Sequence, residues 1–249
     1  MTADEWQTQG DARAMLEFVR SRATTRQLRY FGAACCRGVW DFLTDDRLKA
    51  AVECVERFAA GAATKQDLAE CQGRARVAAQ ELRLRRRAGD AWHEVSQRPP
   101  SGRDWEPYHV VLRTALAVDA VPLVARPTGK PAELGRSVSE AFGFVVQAQT
   151  PGWALGDTDP RVLAAHAAVV RCVFGDPFRP YVFDASHRTE AAVAIARSMY
   201  DSRDFSVAPV LADALEDAGL TDAAVLGHLR QAGGHVRGCW VVDAVLGRA

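Results

Sequence analysis

A histidine, a cysteine and an aspartate recur four residues apart near the end of the chain, at His235, Cys239 and Asp243. On an α-helix this spacing places the three side chains on one face. Thiolate and imidazole are metal ligands, and a carboxylate can bind a metal or orient a histidine that does. Cys35 and Cys36 could supply further thiolates if the two ends of the chain meet. Zinc is the metal such a set would take.

The same segment allows two other interpretations. Cys239 could be a nucleophile whose pKa is lowered by His235 one turn away, in a thiol-dependent enzyme. Alternatively, the segment is a core helix with a hydrogen-bonded His235 and with Asp243 paired to an arginine, as the neighbouring Val236 and Trp240 suggest. We favour core packing and expect no cofactor, because adjacent cysteines share one metal poorly and the sequence has no C-x-x-C spacing.

An arginine-rich stretch offers a second candidate site, in the segment predicted to be a helix after Thr64. A basic helix face can bind the phosphates of a nucleic acid. The other interpretation is a solvated helix face, which we favour because aromatic residues do not alternate with the basic ones. The arginines are Arg74, Arg76, Arg83, Arg85, Arg86 and Arg87.

Polar and aromatic residues occur together in the middle of the chain, at Asp104, Trp105, Tyr108 and His109. This is the composition of a protein-binding surface, and also that of an ordinary loop. We keep it as the candidate interaction surface.

Composition limits the classes of protein to which the chain can belong. It has 249 residues, 48% of them hydrophobic and 25% charged, and a formal net charge of zero, which argues against a protein that coats nucleic acid or an anionic membrane with its whole surface. No apolar run approaches the roughly 20 residues needed to span a bilayer, and the acidic, polar N-terminus does not resemble a signal peptide. Six cysteines in so long a chain do not suggest a disulfide framework. We therefore expect a cytoplasmic protein.

The pattern of apolar residues predicts helices almost everywhere, and hence an all-α fold. Thr24 or Thr25 can cap a central helix that runs to about Leu43, with apolar residues around much of its surface. Loop signals rich in proline and glycine lie at 98–102, 125–131 and 150–160. We predict helical regions at 1–97 and 159–249 that pack together as one domain, joined by an irregular or insertion-like segment at 98–158.

Several blocks resemble a family of paralogous proteins of planctomycete bacteria that has no established activity. The blocks are Leu16-Glu17-Phe18 with the stretch from Leu28 to Arg37 and Trp40, the stretch from Phe174 to Pro180, and the stretch from Leu211 to Gly219 with the closing His235-Val236-Arg237-Gly238-Cys239-Trp240-Val241-Val242-Asp243. They cover about half of the chain. The resemblance implies a helical cytoplasmic protein and assigns no catalytic residues.

From these observations we predict a non-enzymatic module that binds another protein. The alternatives are a metal- or thiol-dependent enzyme centred on His235, Cys239 and Asp243, and a nucleic-acid-binding regulator that uses the helix from Arg74 to Arg87. The sequence contains no phosphate-binding loop, nucleophile elbow or dinucleotide-binding glycine motif.

Overall fold

The computed structural model describes residues 1–88, 106–150 and 158–248, and the side chains of 85–88, 106–112 and 115 lie outside that description. The regular elements of the described residues are twelve α-helices and two short 3₁₀ turns, with no strand. This confirms the predicted all-α fold. None of the described helices combines the length and the apolar character needed to cross a membrane.

The helices are numbered here in chain order. They are α1 (Ala3–Thr8), α2 (Ala12–Val19), α3 (Thr25–Arg37), α4 (Asp46–Ala59), α5 (Lys65–Ala88), α6 (Glu106–Val124), α7 (Pro131–Gln149), α8 (Pro160–Phe174), α9 (Glu190–Ser202), α10 (Ala208–Asp217), α11 (Ala223–Arg230) and α12 (Trp240–Val245), with 3₁₀ turns at Trp40–Phe42 and Ala185–His187.

The chain divides into two compact units. One unit combines Met1–Val19 with Ala164–Ala249, and we call it the terminal unit; the other, Arg20–Leu163, is the central unit. The first and last residues of the chain therefore share a unit. The residues from 20 to 88 belong with the middle segment, which differs from the predicted grouping of 1–97 with 159–249.

In the central unit, α3 is the most buried helix, as its apolar pattern predicts. Thr24 is its N-cap: the Thr24 hydroxyl accepts from the backbone of Gln27, and the Gln27 side chain accepts from the backbone of Thr24. Nearly every residue from Leu28 to Cys36 is buried. The helix ends at Arg37, earlier than predicted, and a 3₁₀ turn follows at Trp40–Phe42.

The middle of the chain is more regular than its sequence led us to expect. Two helices of nineteen residues each, α6 and α7, occupy most of the segment 98–158 and pack against each other. In α7 the buried residues Leu134, Val138, Phe142 and Val145 recur at helical spacing, and Pro131 begins the helix at its first position. The prediction of an irregular segment is therefore wrong for residues 106–124 and 131–149, whereas the loop predicted at 125–131 lies between the two helices.

In the terminal unit, arginine side chains join helices by donating to main-chain carbonyls. The guanidinium of Arg171 on α8 donates to the carbonyl oxygens of Trp6 and Gln9 at the end of α1. That of Arg188 donates to the carbonyl oxygens of Ala244 and Val245 at the end of α12. Both satisfy acceptors that a helix end leaves unpaired. The ends of α1 and α12 are thus tied to the rest of the unit.

Candidate metal centre

His235 and Cys239 lie close together, but not on one helix. Helix α12 begins at Trp240 with Cys239 as its N-cap, so His235 lies in the loop that precedes it. The helical stacking predicted from the four-residue spacing is therefore wrong. The two side chains meet because the loop turns, and Asp243 lies in the helix beyond them.

Two residues join this pair from other helices of the terminal unit. Cys172 lies near the end of α8, and His228 lies in the last turn of α11. The ligand atoms of Cys172, His228, His235 and Cys239 all lie within 4.8 Å of one another. The His228 Nε2 and the Cys239 Sγ are 3.3 Å apart. Two thiols and two imidazoles at this spacing could hold a metal ion.

Glycines shape the loop that carries His235, which we call the ligand loop (residues 231–239). Gly233, Gly234 and Gly238 have φ of +78°, +78° and +88°, in the left-handed region. At Gly234 space is also lacking, because a Cβ there would lie 2.9 Å from the Cβ of Ala168 on α8. The loop can therefore pass close to α8, the helix that carries Cys172.

Tyr200, near the end of α9, contacts two residues near the end of the ligand loop, Arg237 and Gly238. Its hydroxyl accepts a hydrogen bond from the backbone N–H of Gly238 at 2.9 Å and donates one to the buried carboxylate of Asp243. Its carbonyl oxygen accepts from the guanidinium of Arg237, with Nε at 2.7 Å. Asp243 is buried, as expected, and takes part in this contact with Tyr200.

Aromatic rings cover the cluster. The His228 and His235 rings meet edge to face with their centroids 4.9 Å apart, and the His228 ring lies 5.6 Å from that of Trp240. Tyr181 packs against the other side of Trp240 at 5.6 Å. Both thiols are fully buried. The cluster therefore lies in surroundings that exclude water, where charged groups need partners.

The two thiols of the cluster differ in acidity. Burial alone would raise the pKa of Cys239, but its contacts with Cys172, His228 and His235 outweigh burial and hold that pKa well below its ordinary value. The pKa of Cys172 is raised well above its ordinary value, first by burial and then by its hydrogen bond with Cys239. The contacts of the pair therefore favour the thiolate at Cys239 over the thiolate at Cys172.

His235 is the least satisfied member of the cluster. Both of its ring nitrogens are buried; His235 contacts the Cys239 thiol, and neither nitrogen makes a well-formed hydrogen bond to a described residue. The hydrogen-bonded His235 of the core-packing interpretation is therefore realised only in part, through its contact with Cys239. Imidazole nitrogens in water-excluded surroundings need a donor, an acceptor or a metal. This observation independently fits a bound cation.

The sequence analysis identified half of this cluster. His235 and Cys239 belong to it, whereas Cys172 and His228 were not among the candidate ligands. Cys35 and Cys36 do not belong to it; both are buried in α3 of the central unit, where burial raises the pKa of Cys36 to about 12. No local spacing signals Cys172 or His228, which come from separate helices.

The other candidate sites receive little structural definition. Arg83 pairs with Asp119, with Nη2 and Oδ1 at 2.7 Å, and Arg74 donates to the Cys71 sulfur at 3.6 Å. The side chains of Arg85, Arg86 and Arg87 lie outside the described residues, as do Asp104, Trp105 and the side chains of Tyr108 and His109. Neither the nucleic-acid surface nor the interaction surface gains support from the described contacts.

Comparisons with known proteins identify no family for this chain. No protein-family model, curated protein or solved structure matches the chain. The site must therefore be interpreted from its own chemistry.

Proposed function

We propose that this chain is a zinc-binding protein in which the metal stabilises the terminal unit. The observation that carries the proposal is the convergence of four ligand atoms, from Cys172, His228, His235 and Cys239, within 4.8 Å. Two cysteines and two histidines are a common ligand set for structural zinc. Soft thiolate and imidazole ligands favour zinc over magnesium or calcium.

The distances suit a tetrahedral ion after a small contraction. With Zn–S near 2.3 Å and Zn–N near 2.0 Å, adjacent ligand atoms of a tetrahedral site lie about 3.3–3.8 Å apart. His228 and Cys239 are already at 3.3 Å. The four atoms would therefore need to draw together by at most about 1–1.5 Å to surround zinc.

The charges balance as well. Zinc would bind both cysteines as thiolates and both histidines as neutral imidazoles, so the ion and its four ligands would carry no net charge. A neutral centre suits a buried position, where an unpaired charge is costly. It would also give the buried His235 ring, whose nitrogens make no well-formed hydrogen bond to a described residue, a bond to one of those nitrogens.

A structural role is favoured over a catalytic one. Catalytic zinc usually has three protein ligands and one position open to water or substrate, whereas here four protein side chains are available and both thiols are fully buried. The alternative of a metal- or thiol-dependent enzyme centred on His235, Cys239 and Asp243 therefore receives less support. A closed metal site agrees better with the non-enzymatic, protein-binding module that we predict from the sequence.

Metal analysis tests the proposal directly. The chain, purified without metal-affinity steps, should contain one zinc ion per molecule by mass spectrometry of the elements. Cobalt substituted for zinc should give the visible bands of a tetrahedral ion and a thiolate charge-transfer band. Metal below one-tenth of an equivalent after zinc incubation, with no cobalt bands, would overturn the proposal.

Matched variants locate the site. C172S and H228N should each lose stoichiometric metal, although neither residue belongs to the closing motif. The controls are H187N, which changes a histidine of the same unit that is not in the cluster, and C36S, which changes a buried cysteine of the central unit. Both controls should bind zinc as the unmodified chain does. A partner recovered with the unmodified chain and lost on chelation would connect the metal to the protein-binding role.

A further inference from the structure

A second pair of cysteines faces each other in the central unit. Cys54 lies on α4 and Cys71 on α5, two helices that pack together after a short connection. Both side chains are buried, Cys54 fully and Cys71 with 6% of its surface exposed. Cys54 lies five residues before the end of α4 and Cys71 six residues after the start of α5, so the two side chains lie at the same level of the helix pair. Neither residue belongs to the metal centre.

The surroundings of the two sulfur atoms are unequal. The guanidinium of Arg74 donates to the Cys71 Sγ at 3.6 Å, one turn along the same helix. A nearby cation stabilises a thiolate, and the thiolate is the form that reacts with oxidants. Burial, and then the hydrogen bond with Cys71, raise the pKa of Cys54 to about 11, so that Cys54 remains a thiol. Cys71 is thus the sulfur placed to react first.

We propose that Cys54 and Cys71 are a modification site, at which a hydroperoxide closes a reversible disulfide between α4 and α5. The Cys71 thiolate attacks the peroxide oxygen; an S–O bond forms, the O–O bond breaks, and the leaving oxygen takes a proton. Cys71 is then a sulfenic acid. The Cys54 sulfur attacks the Cys71 sulfur; the S–S bond forms, the S–O bond breaks, and hydroxide leaves with the Cys54 proton as water. Two thiols lose two electrons in all, and the peroxide gains them.

The full-length, zinc-loaded chain tests this proposal. It is treated with one equivalent of hydrogen peroxide, its remaining thiols are alkylated, and it is digested with trypsin without reduction. Cleavage after Lys49, Arg57, Lys65 and Arg74 gives peptides 50–57 and 66–74, each with one cysteine. We expect these two peptides joined, at a mass two hydrogen atoms below their sum, and separated again by dithiothreitol.

Two variants test the order of the steps. In C54S the Cys71 sulfenic acid should persist and react with dimedone. In C71S oxidation of Cys54 should be slower by roughly tenfold or more, because Cys54 is the protonated thiol. Equal dimedone labelling of Cys54 and Cys71 in the two variants would overturn the proposed order.

An internal control comes from Cys35 and Cys36, which are buried in the same unit. They should remain reduced, and their alkylation only after unfolding would show that the chain stayed folded. The proposal is overturned if peptides 50–57 and 66–74 join only in denaturant, or if Cys35 and Cys36 oxidise as fast. The peptides that contain Cys172 and Cys239 are measured separately, so this result does not depend on the zinc proposal.

Discussion

Tyr200 and Asp243 share a hydrogen bond inside the terminal unit, and the same hydroxyl accepts the backbone N–H of Gly238. The hydrogen bond to Asp243 joins α9 to α12, and the hydrogen bond from Gly238 comes from the residue that precedes Cys239. Groups that orient metal ligands without touching the metal contribute to affinity. If the cluster binds zinc as proposed, Tyr200 would be a positioning residue of the metal centre.

Removing the hydroxyl of Tyr200 should weaken zinc binding while leaving all four ligands in place. In Y200F the Gly238 N–H and the Asp243 carboxylate lose a partner, which should destabilise the fold by about 1–3 kcal/mol. We expect zinc affinity to fall about tenfold, measured by competition with a chromophoric chelator. Y181F is the control, since Tyr181 contacts Trp240 through its ring, in an edge-to-face arrangement that the loss of the hydroxyl leaves in place. Unchanged affinity in Y200F would refute the positioning role.

Removing the metal should loosen the terminal unit selectively. Each tenfold rise in free zinc above the dissociation constant should add about 1.4 kcal/mol to the free energy of unfolding of that unit. Hydrogen exchange with and without a chelator should show faster exchange in α11 and α12 and unchanged exchange in α3 and α7 of the central unit. Exchange that does not respond to the chelator anywhere would contradict a stabilising role for the metal.

The ligand loop should not tolerate a side chain at Gly234. G234A places a Cβ at a φ of +78° and 2.9 Å from the Ala168 Cβ, so we expect a loss of about 1–3 kcal/mol in folding stability, together with weaker zinc binding. G73A is the matched control, because Gly73 lies within α5 with open space around its Cβ position. Chemical denaturation and zinc titration of both variants provide the comparison. Equal effects of the two substitutions would count against the close approach of the loop to α8.

Acid should destabilise the fold through His166, quite apart from the metal. Burial on α8 lowers the pKa of His166 from 6.5 to about 4. The unfolded chain therefore takes up a proton on His166 before the folded chain does, and stability falls as the pH drops through the window from about 6.5 to 4. Between pH 8 and pH 5 this residue should cost the fold about 2 kcal/mol.

Denaturation of the metal-free chain at both pH values, in chelator, measures this cost without a contribution from zinc release. The H166Q variant should lose that part of the pH dependence, even if it is less stable at every pH. A pH dependence identical in H166Q and the unmodified chain would show that His166 titrates alike in both states.

The fold class follows from the sequence because helical periodicity is a local signal. The buried residues of α3 and the Thr24 cap are both readable in the sequence, and both were predicted. The helices α6 and α7 were not predicted because the proline- and glycine-rich loop signals around them were given more weight than the spacing of their apolar residues. Yet Leu134, Val138, Phe142 and Val145 recur at helical spacing and are all buried.

Two of the four candidate metal ligands can be identified from the sequence, and the other two cannot. His235 and Cys239 attract notice because they are close in sequence, although the helix we assumed between them is excluded by the left-handed glycines of the loop. Cys172 and His228 come from α8 and α11, and each resembles an ordinary residue of an amphipathic helix. Only the tertiary packing brings them to the same place.

The terminal unit combines two segments that are far apart in the chain, and this separation determines when the unit can form. Residues 1–19 are synthesised before the central unit, whereas Arg171, which donates to the carbonyls of Trp6 and Gln9, follows the central unit in the chain. Contacts between such distant parts of a chain form late, because a long loop must close first. The metal ligands span the same late segment, from Cys172 to Cys239. During synthesis, the central unit can therefore fold while residues 1–19 are still without their partners, and the four candidate metal ligands come together after it.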